Sequence, residues 1–150
     1  MQTYIMYAVL AGIAWGVGGY FEKVSLHALG ISPILGITIR TLIALVVLGT
    51  LSIPEWKSIS NSSDIKMWIM LIIGGGVIAG SLGMWSFYSA LSTSQNLGLT
   101  LAVAFAFSPI AGTLTGLIRG DQHMDWKIAF GLIAIIIGIV FIQLARTSVK

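Results

Sequence analysis

The chain contains no cysteine, which excludes disulfides, thiolate metal sites and cysteine nucleophiles. Charge is almost as scarce. Eight Lys and Arg and five Asp and Glu give 9% charged residues in 150, where an ordinary soluble domain carries about 25%. The net charge of +3 is scattered, so there is no clustered basic face of the kind nucleic acid requires. There are only two histidines. His27 and His123 stand far apart without other ligands nearby, so no metal site is expected. No Ser, His and Asp fall in apposed positions that would suit hydrolase chemistry. The reading is therefore not an enzyme, with no catalytic residue and no cofactor assigned.

What the chain does have is five apolar stretches of about 20 residues, the length at which a helix crosses about 30 Å of hydrocarbon. They cover about residues 4–22, 32–53, 67–91, 97–118 and 126–145. The composition agrees, with 57% hydrophobic residues and a mean hydropathy of +0.97. The expected fold class is all-α, an integral membrane bundle of five transmembrane helices in a single domain over residues 1–150. Met1-Gln2-Thr3-Tyr4 lacks a positive leader, so the first stretch reads as a retained span and not a signal peptide. Gly30 closes that span, and Ser32-Pro33 supplies an N-cap and first-turn proline for the second. Pro54 to Lys66 is the long polar loop, and Ser92 to Asn96 a short polar link. Arg119 to Asp125 is a charged turn, with Asp125 as N-cap of the fifth span.

An odd number of spans puts the termini on opposite sides of the bilayer. It also makes the chain a candidate half of a ten-helix inverted-repeat transporter. Lys57, Lys66, Arg119 and Lys127 fall on one side; Lys23, Arg146 and Lys150 fall on the other, with Arg40 near it. Orientation normally follows a clear Lys/Arg excess, and here the bias is close to nil. Two readings stay open: dual topology with antiparallel pairing, or one fixed orientation with a weak bias. Small residues stripe the spans: Ala8, Gly12 and Gly16; Gly76 and Gly80; Ala104, Ser108, Gly112 and Gly116; Gly131, Ala134 and Gly138. In lipid such stripes let helix backbones approach closely, within one chain or between chains.

Arg40 is the most informative charge, about two turns or roughly 10 Å into the second span. An arginine there needs a cavity, a partner or a route to the interface. It is either a site for an anionic group or a structural pair with Glu22. Glu22, Lys23 and His27 make an interfacial ion-pair cluster or a gate. The other acids also fall at span ends or in loops, so a simple proton-coupled exchanger with a deep carboxylate is not expected. Trp15, Tyr20, Trp85, Tyr88, Phe105 and Phe107 suit either packing or a pocket for an amphipathic solute. Trp85 and Tyr88 share a helix face with Ser81 and Ser92. Trp68 and Trp126 read as interfacial anchors, and Gln95 and Asn96 as a cavity mouth or a helix cap. Pro109 removes the backbone bond that would reach the Phe105 carbonyl, giving a kink, a hinge or a polar handle. Asn61-Ser62-Ser63 is a glycosylation sequon, relevant only in a eukaryotic lumenal loop. Arg119-Gly120-Asp121 spells an adhesion tripeptide but fits a turn better.

The order of these features resembles the EamA-type domain of the drug/metabolite transporter superfamily. Ala14-Trp15-Gly16 with Phe21-Glu22-Lys23 resembles its first helix. Ser32-Pro33 followed by Arg40 resembles the second, Tyr88-Ser89-Ala90-Leu91 the end of the third, and Ser108-Pro109 the fourth. Gly131 and Gly138 sit in the last helix, as in the family. Gly120-Asp121 departs from the family's frequent Gly-Glu, with a shorter carboxylate arm. Family members usually hold two such domains, so the resemblance implies a dimer of half-transporters. The related small multidrug resistance proteins place a glutamate in the first helix, where this chain has Trp15. Their last-helix contact uses two glycines spaced like Gly131 and Gly138.

The resulting expectation is a multi-pass transporter of small or amphipathic metabolites in the cytoplasmic (inner) membrane, working by alternating access. Trp15, Arg40, Trp85, Tyr88, Phe105, Ser108 and Pro109 would bind substrate between helices of two protomers. Gly131, Ala134 and Gly138 would hold a homodimer, or a heterodimer with a second half-size chain, in the lipid bilayer. A flippase for a lipid-linked sugar or phosphate and a non-transporting membrane scaffold subunit are the alternatives.

Overall fold

The computed structural model describes residues 3–61 and 64–147. Met1, Gln2, Ser62 and Ser63 of the sequon, Ser148 and Lys150 lie outside the described residues, as does the Arg146 side chain. Five long helices carry the chain: α1 Thr3–Leu29, α2 Pro33–Leu51, α3 Ile65–Thr93, α4 Leu97–Arg119 and α5 Trp126–Thr147. No strand occurs among the described residues. All five are long and apolar enough to cross a membrane.

The caps explain most of the boundaries. Leu35 N–H donates to Ser32 Oγ at 3.3 Å at the start of α2. Lys66 and Met67 N–H donate to Asp64 Oδ1 at 3.0 and 3.3 Å at the start of α3. Leu99 N–H donates to Asn96 Oδ1 at 3.1 Å at the start of α4. Each satisfies a backbone donor that the first helical turn leaves unpaired. Asp125 sits before α5, with its Oδ1 3.5 Å from Lys127 N. Gly120, at φ +77°, ends α4, and Asp121 and Gln122 N–H turn back to the Gly116 carbonyl at 2.9 and 3.2 Å. A left-handed glycine closing a helix this way needs no Cβ clearance, and it makes Arg119-Gly120-Asp121 a turn.

The first helix ends at Gly30 as expected, with Glu22 deeper than a span end, and two other elements differ from the sequence expectation. The first helix runs on past its apolar stretch to Leu29. Nothing breaks the backbone until Gly30 adopts φ +61°, so Glu22 lies about two turns inside the helix and not at its end. Ile53–Asn61, expected as open loop, is a 3-10 helix, steadied by Trp56 Nε1 donating to Ser52 Oγ at 2.8 Å. The middle of α3, Leu71–Gly83, is π-helical, with Ser81 Oγ donating to the Gly76 carbonyl five residues back at 3.1 Å. π-helical turns are rare and concentrate at functional sites. Here Gly74, Gly75, Gly76, Gly80 and Gly83 remove the side-chain packing that favours the tighter α form.

The chain divides into two compact units, residues 20–93 and residues 1–19 with 94–150. In the first, α2 packs on the last part of α3, Met84–Thr93. Leu26, Tyr88 and Leu91 are buried there. Gly36 makes the close approach possible, since a Cβ on it would lie 2.7 Å from Leu26 Cδ2 and 3.2 Å from Tyr88 Cε1. In the second, α4 packs on α5. Ala106 is buried, and Gly116 leaves room for the Gln122 side chain.

Candidate functional site

Two cavities of the unit formed by residues 20–93 bear on function. The larger, of about 660 Å³, lies between α2 and α3. Its apolar wall on α2 is Ile34, Ile37, Leu42 and Leu45, and Gly76 and Gly80 of the π-helical stretch form the floor opposite. Thr38, Thr41, Ser81 and Trp85 supply its polar atoms. Thr38 Oγ1 and Ser81 Oγ each donate to a backbone carbonyl of their own helix, at 2.9 and 3.1 Å. Their lone pairs still face outward as acceptors. The size falls inside the 300–1,000 Å³ or so typical of small-molecule sites, and so does the mix of apolar walls with few polar groups.

The smaller cavity, of about 350 Å³, holds the charges. Arg40 Nε pairs with Glu22 Oε1 at 2.9 Å, and an Arg40 terminal nitrogen reaches Met84 Sδ at 3.6 Å. Tyr88 is buried and lines the same cavity. α1 and α2 form a hairpin turned at Gly30, with Glu22 about two turns before the turn and Arg40 about two turns after it. Pairing therefore puts the two charges at one depth. Of the two readings of Arg40, the pair with Glu22 is present, and the guanidinium also faces a cavity.

The candidate residues fall into three groups. Arg40 and Tyr88 meet at the smaller cavity. Trp85, one helical turn before Tyr88, lines the larger one. In the other unit Trp15 and Phe105 stack, with ring centroids 5.4 Å apart and planes 3° from parallel, while Ser108 and Pro109 are exposed on α4. Sequence reasoning missed Thr38 and Thr41. The signal was there, because residues 34, 37, 38, 41, 42 and 45 repeat at helical spacing and so share one face. Met84 carried no comparable signal, since a thioether beside a guanidinium depends on tertiary packing. Asn96, open between a cavity mouth and a cap, is a cap. Among the described residues no group of His, Asp and Glu is placed to hold a metal ion.

Comparison with curated proteins and with solved structures gives no match. Residues 2–144 match the EamA-like transporter family, as the residue-level resemblance suggested. Five membrane-length helices and a match over nearly the whole chain lead to one conclusion: this multi-pass membrane protein belongs to the EamA-like transporter family.

Proposed function

We propose that the chain is one half of an alternating-access transporter for small or amphipathic organic solutes in the cytoplasmic membrane, completed by a second five-helix unit. The observation that carries the reading is the larger cavity. Apolar walls on α2 hold the body of a solute, and Thr38, Thr41, Ser81 and Trp85 hold its polar end. The π-helical floor supports it too, because irregular helical backbone at membrane depth is tolerated where it lines a cavity. In inverted-repeat transporters the substrate site lies near the midplane and the halves rock about it. The second unit is a second copy or another half-size chain. Gly131, Ala134 and Gly138 are exposed on α5, and a Cβ on either glycine would meet nothing within 4 Å. That leaves a small-residue face open for close helix contact. In the other compact unit, Trp15, Phe105, Ser108 and Pro109 are candidate solute contacts of their own.

The test is flux of a fluorescent amphipathic amine and a neutral analogue into proteoliposomes containing the full chain. Wild type is expected to exceed empty liposomes, and Trp85→Ala to lose most of that flux while the protein stays folded and paired. Equal flux in empty and loaded liposomes across such a panel overturns the transporter reading in favour of a scaffold.

A further inference from the structure

We propose that the cavity at Glu22, Arg40 and Tyr88 binds a small organic anion together with one proton. The anion takes the guanidinium from Glu22, and the proton neutralises the carboxylate so released. The inference goes beyond the transporter reading: it assigns a ligand class and a linked proton to the smaller cavity, apart from the one lined by Thr38 and Trp85.

The first observation is the donor count on Arg40. A guanidinium carries five N–H donors in a planar fork suited to bidentate carboxylates and related anions. Here Nε meets Glu22 at 2.9 Å. One terminal nitrogen meets only a thioether, at 3.6 Å, and a sulfur of that kind is a weak acceptor. The terminal nitrogen at Met84 is thus held only weakly and is available to a stronger acceptor. The second observation is the space: Arg40 and Glu22 line a cavity of about 350 Å³, large enough for a small solute. Its other walls, Phe21, Leu26, Leu29 and Ile39 among them, are apolar and suit an organic body.

The proton follows from charge balance. With Glu22 ionised the site is neutral. Adding an anion would leave a net negative charge in a poorly solvated place, which is costly. Two carboxylates or similar anions sharing one cation raise each other's proton affinity. A proton on Glu22 restores neutrality. The charged and titratable groups around Glu22 are Arg40 from α2, Tyr88 from α3, and Lys23 and His27 on its own helix. His27 Nδ1 sits 2.8 Å from the Lys23 carbonyl oxygen. By linkage, the anion then binds more tightly as pH falls, and the proton binds more tightly when the anion is present.

The test uses the full chain in phosphatidylcholine nanodiscs, titrated with benzenesulfonate, a fixed anion at every pH used, and with benzamide as the neutral control. Between about pH 6 and 8, above the ordinary Glu range near 4.3, wild-type affinity is expected to fall about tenfold per pH unit, the slope for one linked proton. Glu22→Gln is expected to bind with no pH slope, and Arg40→Gln not to bind. Adding phosphatidylglycerol separates two sources of the anionic group. Competition assigns the site to lipid head groups, and its absence assigns it to free solutes; either supports an anion site. Wild-type binding without a pH slope, no sulfonate binding, or equal binding of benzamide overturns the proposal, and these readings need no variant to fold. Because binding and not flux is read, proton-linked binding without flux sinks the transporter reading alone. Amine flux without sulfonate binding sinks this proposal alone.

Discussion

At the scale of single residues, Gly36 shows how tightly the charged cavity is bounded. A methyl group there would sit 2.7 Å from Leu26 Cδ2 and 3.2 Å from Tyr88 Cε1. The leucine tip can swing aside, but the tyrosine ring is held by burial on both faces. Gly36→Ala is therefore expected to cost about 1–3 kcal/mol through overpacking, read by chemical denaturation in detergent. Gly49→Ala on the same helix meets nothing within 4 Å and serves as the control. The residue scale is also where the sequence was partly legible. An arginine two turns into an apolar stretch demands a partner on energetic grounds, so Glu22 was nameable in advance. The Trp15–Phe105 stack was not, because each aromatic looks the same in sequence whether it anchors, packs or binds.

At the scale of elements, the π-helical stretch of α3 makes a sharper test. Gly76 and Gly80 look equivalent in sequence, as a four-residue small pair. In the structure a Cβ on Gly80 would lie 3.0 Å from the Gly75 carbonyl oxygen, whereas one on Gly76 would meet nothing within 4 Å. Gly76→Ala is expected to stabilise by up to about 1 kcal/mol, the usual gain for alanine over glycine in a helix. Gly80→Ala is expected to destabilise, because backbone has to give way. Thermal unfolding of both variants in one detergent checks the opposite signs. Helix existence was fully legible here, since length and hydropathy decide what crosses a bilayer. Two things were not. One is the depth of Glu22, read as lying at a span end because apolar content stops near it, although helical backbone continues to the cap at Gly30. The π form leaves no periodic signature that separates it from an ordinary glycine-rich helix.

At the scale of the whole molecule, the buried apolar side chains among the described residues are Leu26, Tyr88, Leu91 and Ala106. Nearly all the remaining apolar surface faces outward, as lipid and a partner helix would require. Gly131→Leu is expected to lose most chemical cross-linking between copies in native membranes, by removing close backbone approach on α5. Ile133→Leu, a similar volume on the same helix, is expected to leave cross-linking intact. Retained cross-linking in Gly131→Leu would place the interface elsewhere. The ion pair between Glu22 and Arg40 has a consequence for biogenesis as well. Charged side chains within a span each cost about 2.5–3.5 kcal/mol to insert, and α2 holds no acid to partner Arg40. The second span therefore carries an unmatched arginine until it meets Glu22, so α2 is expected to insert more readily beside α1 than alone, with Gly30 as the bend between them.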